Sequence, residues 1–275
     1  MRSPCGVVAL LTDFGLEDVY VAVMKAVILR INPKATIIDI THNIPCFDIE
    51  KGALALWGSF KYFPAGTVFV CVVDPSVGSE RRGIALATKN YYFVGPDNGL
   101  MYLAAHEDSV EKVVVLENEE YFLRPVSYTF HGRDIFSPVA AWITKGVPLE
   151  DFGSSIAPES LIKPSVKFGV EKVDNTVFLK VLYIDKFGNV ALSTRFRELT
   201  KLLEINYGDL IAVSTDKKLE KAVVTRTFAD VSPGELTLYE NSFGLAELGV
   251  FKGNASERLS VKRGDKVFLR REVAK

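Results

Sequence analysis

Val70-Cys71-Val72-Val73-Asp74-Pro75-Ser76-Val77-Gly78-Ser79-Glu80-Arg81-Arg82 runs from an apolar stretch into an acid, then through a turn to two arginines. The run from Thr67 to Val73 is rich in β-branched residues and nearly all apolar. Such a run suits a strand buried on both faces of a parallel sheet. Ligands of open α/β sheets bind beyond the carboxyl ends of the strands, and Asp74 would be delivered there. A plainer reading has Asp74 capping a turn and Arg81 solvated, since Asp-Pro turns are common.

The residues on either side alternate strand and helix. Gly6 to Leu11 reads as a first strand that ends at Thr12-Asp13. Glu17 to Ile31 has helical spacing, with Val19, Val23, Ala26, Val27 and Arg30 progressing around a face, and Asn32-Pro33 stops it. Ala35 to Ile40 is a second strand, and Asp48 caps a second helix that turns Ala53, Leu54, Leu56 and Trp57 inward. Gly83 to Thr88 and Tyr91 to Val94 form a hairpin, Val110 to Leu116 a strand, and Ile135 to Thr144 a helix. Repeated strand-helix-strand units predict an α/β domain with a mostly parallel central sheet.

Pro158, Pro164 and clustered serines and lysines then mark a linker. Beyond it, short alternating runs from Val177 to Arg270 are separated by Gly, Pro, Asn and Asp turns, the pattern of a small all-β domain, an antiparallel barrel or a sandwich. At 275 residues the chain exceeds one comfortable core. The expected division is 1–157, a linker over 158–173, and 174–275.

Composition narrows the class. A 48% hydrophobic and 24% charged chain is that of an ordinary globular protein. A net charge of -1 leaves no electrostatic footprint for nucleic acid or an anionic membrane. Cys5, Cys46 and Cys71 are too few and too scattered for a disulfide framework. With no leader-like segment and no apolar run of membrane-spanning length, a cytoplasmic protein is expected.

Several side chains could carry chemistry. Asp13 and Asp18 flank a βα turn, where a carboxylate can accept hydrogen bonds from a ribose diol or cap the helix. The chain has neither Gly-x-Gly-x-x-Gly nor a phosphate-cradling Gly-x4-Gly-Lys loop. His42 and Cys46 have metal-like spacing but sit beside a proline, so a fortuitous pair is the favoured reading and no metal is expected. His131, in Phe130-His131-Gly132-Arg133-Asp134 just before a helix, can point into a cleft. Asp74, Arg81 and His131 together offer an acid, a fixed cation and a base, a set able to hold and polarise water. Asp185-Lys186-Phe187-Gly188-Asn189 is a turn with an acid and an amide, equally readable as a plain hairpin.

Taken in order, Leu11-Thr12-Asp13-Phe14-Gly15 with Asp18, Asp74 to Arg81, Gly95-Pro96-Asp97-Asn98-Gly99, Phe130 to Asp134, Asp185 to Asn189 and Asn241-Ser242 resemble one family. It is the S-adenosyl-L-methionine (SAM) hydrolases, or SAM hydroxide adenosyltransferases, relatives of fluorinase and chlorinase. The resemblance implies hydrolysis of SAM to adenosine and L-methionine with no cofactor. It puts a water-activating triad on Asp74, Arg81 and His131. Asp13 would grip the ribose, Asp18 and Asp185 would contact the methionine moiety, and Asn189 and Ser242 would line the pocket. Phe47 and Phe228 would flank the nucleoside. The implied assembly is a homotrimer with each active site between the first domain of one subunit and the second of its neighbour.

Some residues depart from the halogenating relatives. Those enzymes carry an insertion where Lys89 to Val94 form a hairpin here, and an uncharged residue at the Asp74 position. An intact acid, arginine and histidine set therefore favours water over halide. The fluorinating enzyme's arginine after the Ser242 position is Phe243 here. The usual glycine after Asp-Pro is Ser76. Three other readings remain: halide-dependent adenosyl transfer, a non-catalytic SAM- or adenosine-binding module, and a metal-dependent phosphohydrolase built on Asp13, Asp18 and Asp39.

Overall fold

A computed structural model describes residues 2–272; Met1 and 273–275, the outermost residues of the two expected domains, lie outside the described residues. The chain divides into two compact units between Ser165 and Val166.

In the first unit, β1 (Val7–Thr12), α1 (Tyr20–Ile31), β2 (Thr36–Thr41), α2 (Ile49–Ser59) and β3 (Val68–Val72) follow one another. They are succeeded by β4 (Gly83–Thr88), β5 (Tyr92–Pro96), α3 (Tyr102–Glu107), β6 (Val110–Val115), α4 (Ser137–Thr144) and β7 (Ser155–Ile156). The sheet order is β2-β1-β3-β5-β4-β6-β7. Strands β2, β1, β3 and β5 run parallel, whereas β4 is antiparallel to both β5 and β6. β3 is buried throughout, as its unbroken apolar run requires of a strand covered on both faces. Val8 and Leu10 share one core with Met24 and Ile28 of α1 and Val139 and Ala140 of α4. From β1 the chain passes to β2 on one side and then to β3 on the other, so the crevice between the carboxyl ends of β1 and β3 is the switch point of the sheet.

Helix α1 starts at Tyr20, not Glu17, and buries Val21, Met24, Val27 and Ile28. Of the face expected through Val19, Val23, Ala26, Val27 and Arg30, Val27 is buried and Val23 half-buried, whereas Val19, Ala26 and Arg30 are on the solvent side; Val19 is 69% exposed. Two apolar stripes compete in this segment, and packing under β1 selects the one with Met24 and Ile28. Asp48 does cap α2, accepting from the Lys51 amide at 2.9 Å, and Ala53, Leu54, Leu56 and Trp57 are buried.

The second unit holds β8 (Glu171–Val173), β9 (Thr176–Ile184), β10 (Val190–Arg195), α5 (Phe196–Leu203), β11 (Leu210–Ser214) and β12 (Leu219–Val224). It continues with β13 (Leu236–Glu240), β14 (Leu245–Val250), α6 (Ala255–Leu259) and β15 (Lys266–Arg271). Seven of these strands close in the order β10-β14-β13-β12-β11-β15-β9, the last pairing back to β10, and closure leaves the barrel no open edge. The barrel is not antiparallel throughout as expected: β12 and β13 run parallel, because the chain between them crosses over instead of turning back in a hairpin. Val177, Leu179 and Val181 meet Leu236, Leu238, Ala246 and Leu248 inside. β8 lies within the segment expected as linker. Its three residues are all exposed, so no apolar alternation announces it. α5 also escaped the pattern of strands, although Phe196, Leu199 and Leu203 seat it on the barrel core.

Candidate active site

The register Thr12↔Val72 brings the ends of β1 and β3 level, so Asp13 follows that pair by one residue and Asp74 by two, and both leave the sheet at the switch point. The chain after Asp74 turns back through Gly78, whose φ of +79° suits glycine. A Cβ there would stand 2.5 Å from the Tyr128 carbonyl oxygen, so only glycine lets the two loops approach so closely. The turn returns Arg81 to Asp74: Nε donates at 2.9 Å to Oδ2, and Nη2 donates to the same oxygen. The pair is well shielded, with 9% of the arginine side chain and 4% of the aspartate side chain exposed. Ser76 Oγ donates to Asp74 Oδ1 at 3.3 Å, so the residue that replaces glycine there adds a contact to the acid. The fully buried Phe136 ring lies 5.3 Å from the guanidinium carbon of Arg81 and supports its face.

Arg81 Nη2 also stands 2.7 Å from His131 Nδ1. A guanidinium can only donate, so Nδ1 accepts and the neutral ring carries its proton on Nε2. Burial and the nearby Arg81 charge push the His131 pKa down, against weaker opposing pulls from Asp74 and Asp134. His131 is held at the entry to a π-helical turn, Gly132–Phe136, that leads into α4. Pro138 has no N–H to give the Asp134 carbonyl, which accepts from the Leu123 amide instead. The Asp134 carboxylate is fully buried; Arg133 and the Ser127 amide donate to it. The loop before His131 is thus tied to the turn after it. Together with Gly78, Ser79, Arg124 and Tyr128, His131 lines a cavity of about 810 Å³.

Asp13 Oδ2 accepts from the Phe47 amide at 2.8 Å, which joins two of the expected site residues. Phe47 sits in the left-handed region, with φ +66°, and the residue is 68% exposed. That conformation is costly for a residue other than glycine, and it recurs at ligand clamps. Asp18 stands exposed on the turn before α1. Asp39, the third acid of the phosphohydrolase reading, pairs with Lys25 at 2.6 Å and lies 3.0 Å from His42 Nε2. Burial works to raise its pKa, but Lys25 and His42 outweigh burial and hold it below the ordinary carboxylate value. His42 is buried and Cys46 exposed. Among the described residues, no three His, Cys, Asp or Glu side chains gather as metal ligands.

In the second unit, Asp185 and Asn189 hold each other. Asp185 Oδ1 accepts from the amides of Phe187 and Asn189, and Oδ2 accepts from Asn189 Nδ2, each at 2.9 Å. Gly188, at φ +84°, makes this turn and packs directly on Asn254. Phe228 meets Tyr239 edge to face at 4.7 Å. Ser242 is exposed on the β13–β14 turn, beside Phe243, whose carbonyl accepts from Arg195 at 3.3 Å.

One group was not anticipated. Glu247 lies opposite Tyr239 in the β13–β14 ladder and is 5% exposed. It accepts from the Tyr239 hydroxyl and, at 2.8 Å, from Asn241 Nδ2. Burial pushes its pKa up; the Asn241 and Tyr239 hydrogen bonds oppose that, and the Asp185 charge adds to it. A lone acid inside Leu245–Val250, in register with a tyrosine, is the signal that marks it.

Residues 8–153 match the SAM hydroxide adenosyltransferase N-terminal domain and residues 179–268 the corresponding C-terminal domain. An (R)-S-adenosyl-L-methionine hydrolase of Salinispora tropica is 38% identical over 96% of this chain and 98% of its own. A more distant relative, a fluorinase of Nocardia brasiliensis, is 26% identical over 96% of each chain. The crystal structure of an uncharacterized conserved protein from Thermotoga maritima superposes with a TM-score of 0.91 at 41% identity, covering 96% of this chain and all of that one. Both domain matches, in order and on the two units that carry the aspartate–arginine–histidine trio and the Asp185 turn, make this chain a member of the SAM hydroxide adenosyltransferase family.

Proposed function

We propose that this protein hydrolyses S-adenosyl-L-methionine to adenosine and L-methionine, with water attacking the ribose C5′. The observation that carries the reading is Arg81 bridging Asp74 and a neutral His131 at the switch point of the sheet. In the displacement, a C5′–O bond forms as the C5′–S bond breaks, the sulfur keeps the bonding pair, and methionine leaves as a neutral thioether. The water must lose one proton. Within the trio only Asp74 can take it, because Arg81 cannot accept and His131 Nδ1 already accepts from Arg81. Asp74 therefore orients the water and receives its proton, while the Arg81 guanidinium and His131 Nε2–H stabilise negative charge on the attacking oxygen. Alignment of the water opposite the leaving sulfur removes much of the entropic barrier, up to roughly 7–11 kcal/mol in ideal intramolecular cases. No step calls on a cofactor or a metal.

Asp13 grips the ribose hydroxyls and Phe47 flanks the nucleoside; Asp18 and Asp185 contact the methionine moiety. Asn189, Phe228 and Ser242 complete the pocket. The working assembly is a homotrimer in which each site draws its second-unit residues from the neighbouring chain. The motif resemblance supports both statements.

Incubation of the pure protein with SAM, followed by chromatography, tests the reading. Adenosine and methionine are expected in equal amounts, and added chloride is expected to yield no 5′-chloro-5′-deoxyadenosine. Chlorinated product would make halide the nucleophile, and binding without turnover would make the chain a binding module.

A further inference from the structure

Tyr183, Tyr239, Asn241 and Glu247 form one hydrogen-bonded network in the second unit. Ala246, Leu248 and Val250 point into the barrel core, so alternation along β14 turns Glu247 to the opposite face, towards Tyr239. Its two carboxyl oxygens have different partners, Tyr239 Oη on Oε1 and Asn241 Nδ2 on Oε2. Asn241 Nδ2 donates a second time, to Tyr183 Oη at 3.0 Å. Both donors of the amide are thereby committed to one side. The amide oxygen must face the other way, and it accepts from the Phe243 and Leu245 amides at 2.9 and 3.0 Å. These two bonds close the turn that presents Ser242.

We propose that Glu247 is a positioning residue for substrate binding: it fixes the orientation of the Asn241 amide and, through it, the shape of the Asn241–Leu245 turn that carries Ser242. This rests on the reading of Ser242 as part of the SAM pocket. Without the carboxylate, an Asn241 amide flipped by half a turn would set N–H groups against the amides of Phe243 and Leu245, and the turn would open. These hydrogen bonds all lie within the second unit, whereas the trio lies in the first, so the effect is expected on binding and not on the chemical step.

The test compares wild type, Glu247→Ala, Glu247→Gln, Asn241→Ala and the Glu247→Ala/Asn241→Ala double variant by steady-state kinetics, with thermal unfolding in parallel. Glu247→Ala is expected to raise KM about tenfold with kcat within about twofold, the size of effect that losing a buried hydrogen-bond partner produces. Glu247→Gln is expected to restore KM, because its oxygen can accept from Asn241 while its NH2 donates to Tyr239 Oη. If Glu247 acts through Asn241, the double variant is no worse than Asn241→Ala alone. Additive losses, failure of glutamine to rescue, or an unchanged KM in the alanine variant would each overturn the proposal. Should Glu247→Ala fail to fold, Glu247→Met, which keeps the side-chain volume and removes the carboxylate, carries the same comparison alone and combined with Asn241→Ala. Wild-type protein that neither binds nor hydrolyses SAM sinks the functional reading itself; an active wild type with insensitive variants sinks only the role of Glu247.

Discussion

Arg81 serves Asp74 and His131 at once, and the protonation of His131 decides whether it can serve both. A protonated imidazole offers no acceptor at Nδ1 and sets a second positive charge against the guanidinium. The His131 pKa lies below the ordinary 6.5. Turnover is therefore expected to be flat at neutral and alkaline pH and to fall on the acid side with an apparent pKa below 6.5 in a kcat–pH profile. The same sign governs stability: the contribution of this group is fully present above 6.5 and is lost as pH falls through the lowered value, because the unfolded chain takes up the proton first. Asp74→Ala and His131→Ala are each expected to lower kcat by about 10²–10⁴-fold, with the SAM dissociation constant by calorimetry shifted only a few-fold. Full turnover in both variants would remove the trio from the chemistry.

Among the elements, the β3–β4 turn is constrained at Gly78. Gly78→Ala must adopt a left-handed φ and displace the Tyr128 carbonyl, so it is expected to cost about 1–3 kcal/mol in chemical denaturation and to reduce kcat by misplacing Arg81. Barrel strand β14 gives a pH-dependent counterpart. The Glu247 pKa is raised in the folded state, so this group lends stability at low pH that is lost as pH rises from its ordinary 4.5 through the raised value. Glu247→Gln is expected to gain Tm relative to wild type as pH rises from 4.5 through the raised value; an offset independent of pH would contradict this. β3 and most barrel strands were legible because period-two and continuous apolar runs say directly which faces are buried. The start of α1 was not, because Leu16 and Val19 are apolar yet exposed. β8 was not legible because an exposed edge strand carries no burial pattern. Asp74 and Arg81 could be paired from one turn, whereas His131 is fifty residues beyond Arg81 and is brought to it by the packing of α4 against β3 and α1. Glu247 needed the β13–β14 register, which only the folded barrel supplies.

For the whole molecule, the homotrimer proposal makes two statements that solution experiments separate. Light scattering is expected to give the mass of three chains. Co-expressed Asp74→Ala and Asn189→Ala chains, each inactive or weak alone, are expected to regain activity when mixed in one trimer, because some sites then draw both intact halves from different chains. A monomer, or a trimer without complementation, would contradict shared sites. Among the described residues no helix is long and apolar enough to cross a membrane. The central claim is that solvent water is the nucleophile at C5′, and its most direct test is turnover of SAM in H2(18)O with mass spectrometry of the products. One solvent oxygen in the 5′-hydroxyl of adenosine and none in methionine is the expected result; adenosine without the label, or a 5′-substituted nucleoside in its place, would contradict it.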